Sequence, residues 1–272
     1  MKVVLFCGGA GMRLRGYADD IPKPMVQIGP RPIIWHVMKY YAHYGHRDFI
    51  LCLGYKGNSI KDYFLHYDEA VSNDFVWSHG GRKIEYLNRD IDDWRITFVE
   101  TGIHSTIGER LKAVESHLAG EEVFLANYSD GLSDVPLPSM INAFERTRCI
   151  ASMLVVQPTA SFDIVQMSTE GLVSGVCTLN SSDIWINGGY FVLNRKIFDY
   201  IQPGDELVRE PFQRLVEQRA LLAYPYSGFW QCMDTFKDKQ RLEELNHTAA
   251  PWKIWQRVAG TAGETFIKTA SA

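Results

Sequence analysis

The sequence contains no apolar stretch close to the roughly twenty residues that a membrane-spanning helix needs. It also has no C-x-x-C pair, no internal repeat, no low-complexity segment and no Pro/Gly/Ser-rich linker. The missing apolar run argues against a transmembrane helix. The start passes directly into a strand-like run with no leader pattern, so a cytoplasmic protein without membrane contact is expected. The five cysteines (Cys7, Cys52, Cys149, Cys177 and Cys232) are scattered and odd in number. They are expected to be reduced, and a thiolate metal site is not expected. Positive charge is scarce too: 28 Lys and Arg against 32 Asp and Glu give a net charge of −4. That balance excludes a nucleic-acid binder held by general electrostatics, so any phosphate binding must come from local clusters. With 46% hydrophobic residues and no linker in 272, the chain is expected to form one α/β domain to about residue 256, with a flexible tail over 257–272.

Against this background one stretch stands out. Lys2-Val3-Val4-Leu5-Phe6-Cys7 runs into Gly8-Gly9-Ala10-Gly11-Met12-Arg13-Leu14, and Pro22-Lys23-Pro24-Met25 follows shortly after. A buried strand that ends in three glycines within four positions lets the backbone approach a ligand closely. Consecutive N–H groups, Arg13 and Lys23 suit that ligand to phosphate. A dinucleotide fingerprint fails, because Leu14 stands where its third glycine belongs and the second strand ends Leu51-Cys52-Leu53-Gly54 without an acid. A Walker A loop fails for want of Gly-Lys followed by Ser or Thr.

Along the chain, apolar spacing predicts a helix over 31–44 ending at Gly45, a buried strand over 49–53 and a helix over 60–66. His36 lies within the first helix and reads as packed or solvent-facing before it reads as a ligand contact. The stretch 67–101 breaks the rhythm and predicts a β-hairpin insertion followed by a return strand. A helix over 106–118 carries Arg110 and Lys112, which are surface charges unless the helix starts near the glycine loop. The strand Val123–Ala126 ends in Tyr128-Ser129-Asp130-Gly131, beyond the carboxyl end of a strand, where open α/β sheets collect ligands. Asp130 is there either a magnesium ligand or part of an Asp-Gly turn. Further strands are expected over 150–157, 164–167, 172–177 and 221–226, with Ile186-Asn187-Gly188-Gly189 interrupting another as a bulge, a bend or a ligand contact. A helix is expected over 209–218. Asp234, before the charged helix 237–247, is either an N-cap or a second carboxylate of a metal site.

These pieces together resemble the sugar-1-phosphate nucleotidyltransferases, and most closely their glucose-1-phosphate cytidylyltransferase branch. G-G-x-G-x-R-L and P-K-P mark the superfamily. Trp35-His36-x-Met38-Lys39, Phe229-Trp230-Gln231-x-Met233-Asp234-Thr235 and Ala250-Pro251-Trp252-Lys253 mark the branch. The resemblance implies a Rossmann-like three-layer α/β fold with a mixed, mainly parallel central sheet, a β-hairpin insertion and a helical C-terminal extension over 236–256. It implies an enzyme that joins a nucleoside triphosphate, CTP above all, to a phosphorylated sugar, with Mg²⁺ as cofactor, and a homo-oligomer. Carried over position by position, Gly8, Gly9, Gly11, Met12 and Ser129 lie against the nucleotide, and Arg13 and Lys23 are catalytic. Asp130 and Asp234 hold the metal. Asn187, Gly188 and Tyr128 face the acceptor, where Arg110 is a candidate for added charge.

The sequence departs from the family pattern in places. Met12 replaces a Thr, and Ser129 a Gly. The Glu-Lys-Pro expected before the Asn-Gly-Gly strand reads Thr178-Leu179-Asn180, and the expected Arg-Phe-Gly reads Ser161-Phe162-Asp163. Losing one charge-assisted phosphate contact costs about 1.5–3 kcal/mol. A different acceptor therefore stands as an alternative: another phosphosugar, a cyclitol phosphate or a phosphonate. A catalytically silent nucleotide-binding homologue is the third reading.

Overall fold

The computed structural model describes residues 1–9, 21–158, 163–178 and 184–256. Gly11, Met12, Arg13, Ser161, Phe162, Leu179, Asn180 and the 257–272 tail lie outside the described residues. The chain opens with β1 (Val3–Phe6), four apolar residues buried on both faces. Two short strands, β2 (Gln27–Ile28) and β3 (Arg31–Pro32), pair antiparallel. Helix α1 (Ile33–His43) begins two residues later than its spacing suggests, because Arg31 and Pro32 belong to β3. It is also buried on nearly every side rather than amphipathic. Next come β4 (Asp48–Leu53) and α2 (Gly57–Leu65). The insertion folds as a hairpin of β5 (Phe75–Ser78) and β6 (Lys83–Tyr86), and the return strand β7 (Arg95–Glu100) joins the main sheet, so the excursion ends before Arg95.

Helix α3 (Ile107–Ala113) starts at a Thr106–Glu109 capping box and gives way to a 3-10 turn over Glu115–Leu118. Then follow β8 (Val123–Asn127), β9 (Gly131–Ser133) and α4 (Leu137–Glu145), a helix absent from the sequence reading although Leu137, Met140, Ile141 and Phe144 lie on one helical face. Its first turn lies in the run Pro136-Leu137-Pro138, where proline is tolerated because the first N–H groups of a helix are unpaired anyway. The second half runs β10 (Ala151–Val156), β11 (Asp163–Met167), β12 (Val173–Thr178), β13 (Ile186–Asn194), α5 (Glu210–Glu217), β14 (Leu221–Tyr226), β15 (Trp230–Cys232) and α6 (Phe236–Thr248).

Seven strands form the central sheet in the order β14-β10-β13-β8-β1-β4-β7. β1 runs parallel to β4 and β8, β4 to β7, and β10 to β14; β13 alone is antiparallel, to both β8 and β10. Alternation along β1 sends Val3 and Leu5 to one apolar cluster, shared with α1 and α4, and Val4 and Phe6 to another, shared with α3 and α5. Helices thus cover both faces of a mainly parallel sheet, a Rossmann-like three-layer arrangement. β11 and β12 stand apart as a two-stranded hairpin, and β9 pairs only with β15. No described helix is long and apolar enough to cross a membrane.

Candidate active site

The carboxyl ends of β1 and β8 lie side by side in the middle of the sheet, with Val3 opposite Leu125 and Leu5 opposite Asn127. Ser129 takes a left-handed backbone conformation (φ 64°) just after β8; its N–H donates to Asn127 Oδ1 and its hydroxyl to Phe6 O at 2.8 Å. This tight crossing tethers the start of the glycine loop to the residue before Asp130. The β9–β15 ladder then sets Cys232 opposite Gly131, and Met233 N donates to Asp130 O at 2.9 Å. Two residues more than a hundred positions apart, Asp130 and Asp234, thereby face one point.

That point is held by Lys23. Its Nζ donates to Asp130 Oδ2 at 2.6 Å and to Asp234 Oδ1 at 2.5 Å. Burial works against the ammonium charge, but the two carboxylates outweigh it and hold Lys23 above its ordinary pKa. Asp130 is pushed up, first by burial and then by the neighbouring Asp234 charge, with Lys23 opposing. The N-cap alternative for Asp234 is overturned. Thr235 is the N-cap of α6, in a capping box with Asp238, which leaves the Asp234 carboxylate turned to Lys23. Likewise, the Asp130 side chain does not close a local turn but joins the same ion pair.

Two cavities meet at this cluster. One, of about 410 Å³, is lined by Gly9, Lys23, Ile107, Tyr128, Ser129 and Glu206 with both aspartates. The other, of about 290 Å³, is lined by Tyr128, Asn187, Gly188, Trp230 and Cys232 with the same two aspartates. Asn187 is pinned between them: its amide donates to Tyr128 Oη at 3.2 Å and accepts from Gly189 N at 2.9 Å. Gly188 O accepts from Trp230 Nε1 at 2.8 Å. Gly189 sits at φ 76°, and a Cβ there would meet the Tyr128 ring at 2.9 Å, so the Asn-Gly-Gly interruption fits the strand closely against Tyr128. Cys232 and Cys7 border the cavities, and burial pushes each thiol up to about 12, so neither is a thiolate at neutral pH.

Arg110 requires a correction. It is 2% exposed and lines neither cavity. Its guanidinium donates to Leu53 O (3.2 Å), Thr101 Oγ1 (2.8 Å), Gly8 O (3.1 Å) and Ile103 O (3.3 Å). It gathers acceptors near the carboxyl ends of β1 and β4 and just beyond β7, outside both cavities. A Cβ on Gly8 would lie 1.9 Å from Arg110 Nη1, so this glycine is required by the arginine beside it. Gly9 differs: nothing lies within 4 Å of its Cβ position, and it lines the larger cavity. Glu206, which the sequence reading did not single out, lines that cavity and accepts from Ile107 N at 3.3 Å.

Comparison with known proteins identifies the family. The sequence profile described as nucleotidyl transferase matches residues 2–77. The glucose-1-phosphate cytidylyltransferase of Salmonella typhi is 37% identical over 258 residues, covering 94% of this chain and all of that protein. The chain belongs to the glucose-1-phosphate cytidylyltransferase family. It is therefore a nucleotidyltransferase, and its paired cavities are those of a member of that family. The mannose-1-phosphate guanyltransferase of Kluyveromyces lactis is a more distant relative, 26% identical across 88% of this chain and 62% of its own length. In three dimensions the chain is similar to a UDP-glucose pyrophosphorylase solved with UDP-glucose (TM-score 0.65, 14% identity, 90% of this chain and 98% of that one), a likeness of fold.

Proposed function

We propose that this nucleotidyltransferase transfers a cytidylyl group from CTP to glucose 1-phosphate, releasing pyrophosphate. The observation that carries the reading is the Lys23–Asp130–Asp234 cluster at the junction of two cavities, one beside Gly9 and one beside Asn187. Similarity over nearly the whole chain to the cytidylyltransferase of Salmonella typhi supports the choice of substrates.

The chemistry asks little of the protein beyond placement. An oxygen of the acceptor phosphate forms a bond to the α-phosphorus of the nucleotide, the bond to the oxygen bridging the α- and β-phosphates breaks, and pyrophosphate leaves with that electron pair. A phosphate monoester dianion is already nucleophilic, so no general base is needed, and catalysis consists of alignment and charge neutralisation. Lys23 supplies a fixed ammonium between the cavities. Tyr128 and Asn187, locked to one another, shape the acceptor side. In this reading Arg13 neutralises the departing pyrophosphate.

Asp130 and Asp234 suit Mg²⁺. They offer two hard oxygen donors that already share one cation, and among the described residues no further His, Cys, Asp or Glu joins them in a three-ligand cluster. Magnesium characteristically uses one or two carboxylates and completes its shell with phosphate oxygens and water. When bound, it would supply charge neutralisation at the nucleotide phosphates.

Pyrophosphate release tests the proposal, measured with CTP, dTTP, UTP, ATP and GTP against a panel of phosphorylated acceptors. CTP with glucose 1-phosphate is expected to give the highest kcat/KM; release with another nucleotide at least tenfold faster would overturn the nucleotide assignment. A second acceptor reading is favoured by one observation: Asp163 and Thr178, paired at one end of the β11–β12 hairpin, stand where the family pattern carries a glycine and the start of Glu-Lys-Pro. A cyclitol phosphate or phosphonate preferred over glucose 1-phosphate in the same panel would establish it.

A further inference from the structure

A third cavity, about 740 Å³, lies between α1, the insertion and the C-terminal segment, and shares no lining residue with the two at the carboxylate pair. Its interior is polar and mostly self-satisfied. Arg31, 2% exposed, lies 4.1 Å from the Tyr67 ring centroid and donates to Ser72 Oγ at 2.9 Å and Asp68 O at 2.7 Å. Asp90 accepts from Ser72 Oγ, Asn73 Nδ2, Lys39 Nζ and Tyr67 Oη at 2.5–3.2 Å. Burial opposes its ionisation, yet these donors hold it below the usual carboxylate range.

Lys253 is not satisfied in this way. It is half-buried, burial depresses its pKa, and among the described residues no carboxylate lies within ion-pair distance of its ammonium. Desolvating a charge without a counter-ion is costly, so such a group points to an anion supplied from outside. The lining carries four cations (Arg31, Lys39, Arg89, Lys253) against two acids (Asp74, Asp90), in a chain whose net charge is −4. Trp35 and Trp255, edge to face with centroids 5.9 Å apart, add flat apolar surface beside Lys253. Among the described residues the side chains of Asp74 and Asn88 make no hydrogen bond, leaving acceptors for hydroxyl groups.

We propose that this cavity is a second ligand site, separate from the catalytic one, that takes a phosphate ester of a sugar. The phosphate meets Lys253, the sugar hydroxyls meet Asp74 and Asn88, and the sugar ring packs on Trp255. The enzyme's proposed acceptor and its nucleotide-linked product both carry this chemistry. The site would give the protein a means of sensing either one.

Calorimetric titration of the full chain in EDTA with glucose 1-phosphate, CDP-glucose and inorganic phosphate separates the possibilities. Two binding sites per chain are expected for at least one of the two sugar phosphates. Lys253→Gln should weaken one of these sites at least tenfold and leave the other unchanged, and Lys253→Arg should retain both. Tighter second-site binding of glucose 1-phosphate identifies the free phosphosugar as the occupant, and tighter binding of CDP-glucose identifies the nucleotide-linked one. Trp255→Leu, which leaves the charge in place, should weaken the same site about threefold and guards against a Lys253 variant that folds poorly. Turnover at saturating substrates should be unaltered in Lys253→Gln, so this test stands or falls apart from the catalytic reading. Affinities unmoved by Lys253→Gln at every site detected, or inorganic phosphate binding as tightly as either ester, would overturn the proposal; a single site that Lys253→Gln weakens would support it and count against the catalytic reading instead.

Discussion

The central strands β1, β4 and β8 and the β11–β12 hairpin are built on opposite plans. Every residue of β1 is buried, and nearly every residue of β4 and β8 as well, with apolar neighbours on both faces. On β11 and β12, Val165, Met167, Val173 and Val176 are 53–70% exposed, and the two strands pair only with each other. A lone two-stranded hairpin is marginally stable, whereas a strand at the centre of a seven-stranded sheet is fixed by its packing. Two of the departures from the family pattern fall at the ends of that hairpin, while Met12 and Ser129 depart on the glycine-loop side, where Lys23, Asp130 and Asp234 are all present. The molecule therefore combines packed central strands that tolerate little change with an exposed hairpin that can vary without endangering the fold.

The contrast can be broken most sharply at the carboxylates. Asp130→Asn or Asp234→Asn should reduce kcat by about 10²-fold or more, the order seen when a preorganised electrostatic group is lost, with little change in thermal unfolding. Turnover that keeps its Mg²⁺ response in either variant would remove them from the metal assignment. Arg110→Ala should cost stability rather than acceptor affinity. Losing the buried charge-assisted hydrogen bonds of the guanidinium, at about 1.5–3 kcal/mol for a bond to a charged group, predicts a loss of that order in urea unfolding, limited because Leu53 O keeps Thr101 N and Gly8 O keeps Tyr55 N as donors. If the acceptor KM rises while stability holds, the guanidinium reaches the acceptor after all.

A smaller effect tests the packing of α1. His36 is 1% exposed; its Nε2 bonds Ile28 O at 2.9 Å, Trp252 Nε1 donates to its Nδ1 at 3.3 Å, and burial drives its pKa down to about 3. A histidine held neutral in the folded state favours folding fully above the unfolded pKa of about 6.5 and progressively less as pH falls toward 3. Its share of the stability should decline by about 1.4 kcal/mol per pH unit across that window. His46, which burial also holds low at about 4, adds to the wild-type slope, so chemical denaturation at pH 7, 6 and 5 should show His36→Gln flatter than the wild type by the His36 share. Least of all should follow from the hairpin. Val176→Thr or Met167→Gln should shift stability by no more than about 0.5 kcal/mol, as exposed positions do, so a large loss would show that this face is covered in solution.

Much of this molecule could be read from its residues because the signals were local. The run Val3 to Phe6 into Gly8 and Gly9, the strand ending before Asp130 and the hairpin turn at Gly80-Gly81 each announce themselves within a few positions. The family resemblance added the mixed sheet and its Rossmann-like layers. What could not be read depended on contacts between distant segments. Nothing near Asp234 says that β15 will pair with β9 and bring it to Asp130 and Lys23. Arg110 looked like a surface charge because its acceptors lie on β1, on β4 and beyond β7, all distant or separate in sequence. Helix α4 was missed although its signal is local, with Leu137, Met140, Ile141 and Phe144 at helical spacing just after Pro136. Glu206 faces the larger cavity only because its loop packs on α3, where a Cβ on Gly108 would stand 2.4 Å from Asp205 O.

The β9–β15 ladder has a consequence for how the protein is made. Glycine loop, Lys23 and Asp130 all emerge in the first half of synthesis, but the second carboxylate arrives only with the segment that follows β14. A growing chain could complete most of its sheet and still lack half of the acidic pair, so the late segment acts as a closing clasp. Until it docks, the ammonium of Lys23 has a single carboxylate partner, and a truncated product would lack the completed acidic pair.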